Sequence, residues 1–524
     1  EISECLVGSE MCIRDREEFT KENEYIKGNY PCDRLSDTKH LYSKMGQLRC
    51  PSWVGAFFGN DESYQEMFKT QTTSAVLSVK VTNRIFLLAF GFGRAMINPD
   101  AIVDDFGLKV TLGAIGPDDI RKVSLKAIGG NQKMSQEQMP SKSSIGDFSV
   151  DINRDLVDMI SGVSIKPQIS DGMISGRAML SVTIDTDLEN IEGYLSTLLS
   201  DYHSEGYKSN FGWIDNIKYI KDNTLIEKLD NLLETRINED PSSIIAAVPE
   251  IIEWDKAKGF SFKSTRSKDI VDDISIDSII SSFNGDEITV QKLKSKMVYL
   301  QSSVDDQFSY RSWIIYKCLF AEIDYNHSHY CLNNGVWYKV NSDFVNEIEN
   351  DYQNTCVCDI EFPDNHNEKE KIYNINFANS CDPYINMDCN LVIPRTGRSK
   401  VELCDTLTDK KELIHTKQGA SSSLLSHLFN QGLISAELIK SDLQFCEKAN
   451  EEIKKQFKEQ QLTGNISDYL LHSDDKLTII YAIIKSGNDD LPSLPLFGKI
   501  AFYNVKKQLG LMGCKVLIKH IKLA

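Results

Sequence analysis

Between Glu412 and Leu438 the chain reads ELIHTKQGASSSLLSHLFNQGLISAEL, and its apolar spacing changes within a few positions. Before Gly419 it reads as a short strand, and after Ser421 as a helix, with a Gly- and Ser-rich turn between them. Side chains two apart on a strand point to the same side, so His415 and Lys417 share a face. A purely structural strand rarely needs two bases on one side. The stretch therefore places a strand, a helix and a candidate site in one domain.

A chain of 524 residues has room for roughly three domains. Apolar residues make up 41% and charged residues 26%, the balance of a globular protein. No apolar run approaches the length of a membrane-spanning helix, so no membrane partner is expected. Acids outnumber bases 76 to 58, for a net charge of −18, which excludes a general polyanion binder. Contact with nucleic acid would need a local basic surface. The sequence offers one beyond Asp490, where Lys499, Lys506, Lys507, Lys515, Lys519 and Lys522 follow without an acid. The plain alternative is a solvated helix face. The 13 cysteines lack disulfide-framework spacing and read as reduced thiols of a cytoplasmic protein. Cys356-x-Cys358, followed by Cys381 and Cys389, is too widely spaced for a structural zinc site.

The expected fold class is α+β (mixed α/β), multi-domain. Residues 1–16 are read as an assembly artefact, because CLVGSEMCIRDR resembles a translated sequencing adapter; they are set aside and the true N-terminus is expected to be missing. Residues 17–70 are a residual N-terminal segment. Residues 71–190 form an α/β domain with a hairpin at Thr82-Asn83 and a polar loop at 129–148. Residues 191–310 are mainly helical. Residues 311–524 form a C-terminal α/β domain. In it come a hairpin at Asn333-Asn334-Gly335, a polar linker from Pro363 to Lys371 and three short strand-like pieces. A helix near Ser421, a second helix from about Ser435 and the buried strand KLTIIYAII follow. A helix, a Gly turn and a last strand close the chain.

One constellation carries chemistry: Asp388, Glu402, Asp405, His415 and Lys417. Phosphodiester hydrolysis uses carboxylates to hold Mg²⁺, which activates water and stabilises the leaving oxygen. It also uses a cation against charge developing on the phosphate. Asp388, Glu402 and Asp405 are the expected Mg²⁺ ligands; Glu402, Asp405, His415 and Lys417 are the expected catalytic groups. A carboxylate on one strand, x-Lys on the next and then a helix is the layout of restriction-endonuclease-like nucleases. That layout normally has Asp or Glu where His415 stands. The plain alternative is a hairpin with exposed ion pairs from Glu402 or Asp405 to Lys417. A phospholipase-D-type reading with His415 as nucleophile lacks the Asp that should follow the Lys. Ser421 or Ser422 caps the next helix, whose free N–H groups can hold a phosphate. Ser421, Ser422, His427 and Gln431 are therefore the expected substrate-binding residues. The sequence has no Walker A, dinucleotide or H-E-x-x-H fingerprint.

Four stretches resemble, in order, a family of large, sporadically distributed bacterial proteins of unknown function: RIFLLAFGFGRAMINPDAIVDDFGLKVTLGAI, LNNGVWYKVNSDFV, VELCDTLTDKKELIHTKQGASSSLLSHLFNQGLISAEL and LPLFGKIAF. Thr406, Gln418 and Leu496-Phe497-Gly498 depart from the family's usual pattern. A patchy distribution implies mobile elements and phage defence. The leading expectation is a cytoplasmic, Mg²⁺-dependent, nuclease-like component of such a system. The competing one is a non-catalytic interaction or sensor protein that binds nucleic acid or a protein partner with the same residues.

Overall fold

The computed structural model describes residues 10–13, 31–32, 38–59, 61–98, 101–127, 134–148, 150, 155–220, 222–250, 252, 257–264, 267–302, 311–380, 384–394 and 400–524. The chain forms two compact units, Glu1–Lys126 with Met134–Ile214 and Ala127–Lys133 with Asp215–Ala524. The stretch 191–310 is thus divided at residue 214, and it carries strands such as Ala257–Ser261 and Met297–Ser302 beside its helices. Helices and mainly antiparallel sheets make the fold α+β.

The first unit is built on a ten-stranded sheet. Thr73–Val81 and Arg84–Gly91 form the hairpin read from the sequence, and Thr82 turns it at φ 53°. The helices Phe106–Ala114 and Ile191–Ser204 share a core with this sheet through Val110, Leu112, Leu195 and Leu198. Glu10–Ile13, part of the segment set aside above, pairs with both Arg84–Gly91 and Leu180–Val182, and Met11 and Cys12 are fully buried there. One expectation needs correction. Within the supposed loop 129–148, Met134–Ser143 is the edge strand of the sheet, paired with Ile115–Ala127. Its polarity and Pro140 misled the reading, yet an edge strand favours polar side chains and tolerates proline.

Five strands near the end of the second unit form one sheet in chain order: β1 Ile385–Asn386, β2 Thr406–Leu407, β3 Glu412–Gln418, β4 Thr478–Lys485 and β5 Lys515–Lys522. β1, β2 and β3 pair antiparallel; β3, β4 and β5 pair parallel. Parallel neighbours need a crossover. The helices after β3 and β4 supply them. Helix α1 (Glu370–Ser380) precedes β1, α2 (Ser422–Ser441) and α3 (Leu443–Glu459) link β3 to β4, and α4 (Leu496–Leu511) links β4 to β5.

Residues 479–484 of β4 are all fully buried, as expected of a strand covered on both faces. Ile479, Tyr481 and Ile483 share a core with Leu425, Leu428 and Phe429 of α2. Ile480, Ala482 and Ile484 share another with Tyr373 and Phe377 of α1. Each such isoleucine, leucine or phenylalanine contributes about 2 kcal/mol by leaving water.

Two further expectations are corrected here. α2 runs through Gly432 without a break. A Cβ at Gly432 would lie 2.5 Å from Tyr481 Oη, so the glycine serves close packing on β4 and does not end the helix. The break comes at Asp442, which accepts from Gln444 N–H and Phe445 N–H and so caps α3. The supposed linker Pro363–Lys371 also delivers Glu370 and Lys371 as the first turn of α1.

Candidate functional site

Glu402 ends a two-residue strand, Val401–Glu402, that pairs with Leu391–Val392. This ribbon brings the turn at Asp388-Cys389 against the Glu402 side chain. Cys389 takes a left-handed φ of 62°, and its N–H donates to Glu402 Oε1 at 2.6 Å. Its thiol donates to Asp388 Oδ1 at 3.0 Å. Donor atoms of Asp388, Cys389 and Glu402 lie within 4.8 Å of one another.

Three further elements surround this group. Gln431 Nε2 of α2 donates to Glu402 Oε2 at 3.4 Å. Asn374 Nδ2 of α1 donates to Asp388 Oδ2 at 3.3 Å. Lys417, at the end of β3, pairs with Glu370 at 2.8 Å. Burial pushes the Glu402 carboxyl above the usual range, the negative charges of Asp388 and Glu370 push it further, and Cys389 N–H and Lys417 pull it back. Like charges held together in this way are relieved by a bound cation. The carboxylates fit a divalent ion; among the described residues, no other group of His, Cys, Asp and Glu side chains brings three donors together.

The sequence model of a family of unknown function, DUF6119, matches residues 7–522. The chain belongs to that family. No curated protein and no solved structure gives a significant match.

In this DUF6119 protein the expected site residues divide. Asp388 and Glu402 come together. Asp405 is not among the clustered donors: it is 9% exposed and its Oδ2 accepts Thr416 N–H at 2.7 Å. Burial drives its carboxyl well above the ordinary range, so it acts as a strand-to-strand tie. His415 is 2% exposed, packs 6.1 Å from the Tyr481 ring, and leaves Nε2 without a partner. Burial lowers its pKa from 6.5 to about 3. A sealed, neutral imidazole is poorly placed to exchange protons with solvent, which counts against the protonating role expected of His415.

The anion site expected at the start of α2 also needs correction. Ser421 caps the helix, accepting Leu424 N–H at 3.5 Å. Ser422 donates instead to the half-buried carboxylate of Glu322 in the strand Leu319–Tyr325, whose other oxygen accepts Phe497 N–H of α4 at 3.0 Å. The protein's own carboxylate already stands at the starts of both helices. His427 is exposed, one turn before Gln431. Of the C-terminal lysines, Lys499 pairs with Glu349, Lys506 with Asp351, and Lys519 donates to Cys358 O. Only Lys507, Lys515 and Lys522 of that set are exposed, so the basic stretch is partly neutralised.

Sequence reasoning missed Glu370, Asn374 and Cys389. Glu370 and Asn374 lie at i and i+4 of one helix and so share a face; reading a linker there hid that. Cys389 was weighed only with Cys356, Cys358 and Cys381. Cys358 is buried, with its sulfur accepting Ile360 N–H, and Cys381 lies outside the described residues.

Proposed function

We propose that this protein binds a divalent cation through Asp388 and Glu402 and hydrolyses phosphodiester bonds beside it, as a nuclease-like component of a defence or mobile-element system. The observation that carries the reading is the pairing of two clustered carboxylates, Asp388 and Glu402, with a nearby base, since the Lys417 charge at the end of β3 lowers the Glu402 pKa. The strand order supports it: the x-Lys strand follows an antiparallel partner and leads into a helix and a parallel strand. Asp388 and Glu402 would hold the cation, Mg²⁺ on the sequence expectation, which when bound would supply activation of a water and charge neutralisation at the leaving oxygen. Glu370 fixes the Lys417 ammonium, which faces the phosphate as its charge builds. Gln431 steadies the Glu402 carboxylate.

Cleavage of single- and double-stranded DNA and RNA by wild type, Lys417→Ala and Glu402→Gln, with and without divalent cations, tests this. Cation-dependent cleavage that falls at least about a hundredfold in both variants is expected. Equal cleavage in all three proteins, or none by wild type on any substrate, sinks it. A second reading has one observation behind it: Lys417 is already neutralised by Glu370. This suits a non-catalytic ion site in a sensor or interaction protein, and that reading predicts cation binding without cleavage.

A further inference from the structure

The ten-stranded sheet of the first unit carries a cavity on the face turned away from its core. Side chains alternate along a strand. Ile174, Leu180 and Val182 join the core on one face, so Ser175 and Ser181 point to the other. Ser161, Ser175 and Ser181 stand opposite one another in register across three neighbouring strands. The Ser161 and Ser175 hydroxyls bond each other at 2.8 Å. That contact uses one hydroxyl hydrogen and leaves the other, with lone pairs on both oxygens, to meet a ligand. The Ser181 hydroxyl has no hydrogen-bond partner among the described residues.

Two cations reach the same face through a break in strand geometry. Ile120 and Val123 both lie in the core, although a regular strand points residues three apart to opposite faces. The pairing of Ile115–Ala127 with Met134–Ser143 shifts register between Ile120 and Lys122. Such a bulge re-aims side chains. Arg121 and Lys122 therefore both turn out of the core, and with the three serines they line one cavity of about 290 Å³. Arg121 Nη1 donates to Pro140 O at 2.6 Å, which steadies the guanidinium and leaves its other donors open. Lys122 is half-buried and, among the described residues, has neither an ion pair nor a side-chain hydrogen bond. The lining holds no carboxylate, in a chain whose net charge is −18.

We propose that this cavity binds a small phosphorylated sugar or polyol. Arg121 and Lys122 take the phosphate through charge-assisted hydrogen bonds. The serine hydroxyls and Gln138 both donate and accept, as a hydroxyl-rich body requires. The lining holds no aromatic side chain on which a nucleobase could stack. A volume of about 290 Å³ is at the small end of the roughly 300–1,000 Å³ of ligand pockets, which suits one sugar unit and not a polymer. The site belongs to the first unit and does not depend on the cation cluster or on phosphodiester hydrolysis.

Calorimetric titration of the full-length chain with glycerol 3-phosphate, ribose 5-phosphate and glucose 6-phosphate tests it, with inorganic phosphate and glucose as half-ligands. At least one of the three phosphomonoesters should bind, and each half-ligand should bind at least about tenfold more weakly. Lys122→Met should weaken that binding at least about tenfold, the loss expected of one charge-assisted hydrogen bond. Lys80→Met, which removes an exposed lysine elsewhere on the sheet, should leave it unchanged. Urea denaturation establishes that each variant is folded. If Lys122→Met does not fold, Ser181→Ala serves in its place, since it removes only a hydroxyl, and affinity should fall severalfold. Three outcomes overturn the proposal: no binding of any of the three, binding that Lys122→Met and Ser181→Ala both leave intact, or inorganic phosphate bound as tightly as the esters. Lys122-dependent binding of a single-stranded oligonucleotide, with none of the three esters bound, overturns it in favour of a nucleic-acid surface.

Discussion

Glu370 and Lys417, 47 positions apart, meet at 2.8 Å, and the second oxygen of the same carboxylate accepts Gln418 N–H at 2.8 Å. One side chain at the start of α1 thus grips both the side chain of Lys417 and the last backbone donor of β3. A carboxylate in the first turn of a helix is also favoured by the helix dipole. Glu370→Ala removes two charge-assisted hydrogen bonds and should cost about 2 kcal/mol in urea denaturation. Glu370→Gln keeps an acceptor for Gln418 and should cost less. If cleavage is found, both should slow it by less than Lys417→Ala does, because the ammonium remains but is no longer held.

His415 gives a pH signature. Its pKa falls from 6.5 to about 3 in the folded chain because burial disfavours the charged ring. Below pH 6.5 the unfolded state binds a proton that the folded state refuses. Stability from this group is therefore complete above pH 6.5 and is lost as pH falls toward 3. His415→Leu removes both that linkage and the unpartnered Nε2. Its denaturation midpoint should equal or exceed wild type at neutral pH, and the gap should widen as the solution is acidified. A gap that stays constant with pH would show that His415 does not titrate in this way.

These cases separate what the sequence disclosed from what it hid. β4 was legible because six successive apolar residues leave one solution, a strand covered on both faces. The strand-to-helix change at Gly419 was legible for the same kind of reason, since the period itself switches. Short strands such as Thr406–Leu407 carried a weaker signal, and their partners depend on contacts remote in sequence. Asp388 and Glu402 could be picked out as acids near a base. Their union with Cys389 could not, because it depends on a left-handed turn at a non-glycine residue. His415 was misjudged because two bases on one strand face look functional. The structure shows that this face runs from solvent at Lys417 into the core within two residues.

Gly432 tests the helix–sheet packing directly. Tyr481 Oη donates to Phe429 O at 2.8 Å, and a Cβ on Gly432 would stand 2.8 Å from Tyr481 Cε1 and 2.9 Å from Ile479 Cγ2. Both neighbours belong to the buried strand β4 and have little room to yield. Alanine is ordinarily the better helix former by about 1 kcal/mol. Here overpacking opposes that gain and should win, leaving Gly432→Ala less stable by about 1–3 kcal/mol. Chemical denaturation checks the sign, and a stabilised variant would contradict the packing described.

Glu322 ties the starts of α2 and α4 to the strand Leu319–Tyr325, and it is half-buried. Burial raises its pKa above the usual carboxyl value, while Ser422 and Phe497 N–H pull it back; Asp324 raises it further and His329 lowers it. Asp324 and His329 form a pair beside it, with His329 raised chiefly by its hydrogen bond to Asp324. The folded state thus holds a proton on Glu322 that the unfolded state gives up once pH passes the ordinary carboxyl range. Its contribution to stability is complete below that range and is lost as pH rises through the elevated folded value. Glu322→Gln is neutral at every pH, offers Phe497 N–H an oxygen and can donate to the Ser422 hydroxyl. Urea denaturation over a pH series should therefore show the variant gaining on wild type as pH rises, until the wild-type carboxyl is fully ionised. Parallel curves for the two proteins would mean that the carboxyl is already ionised in the folded chain at acid pH, held as an anion by the two helix starts.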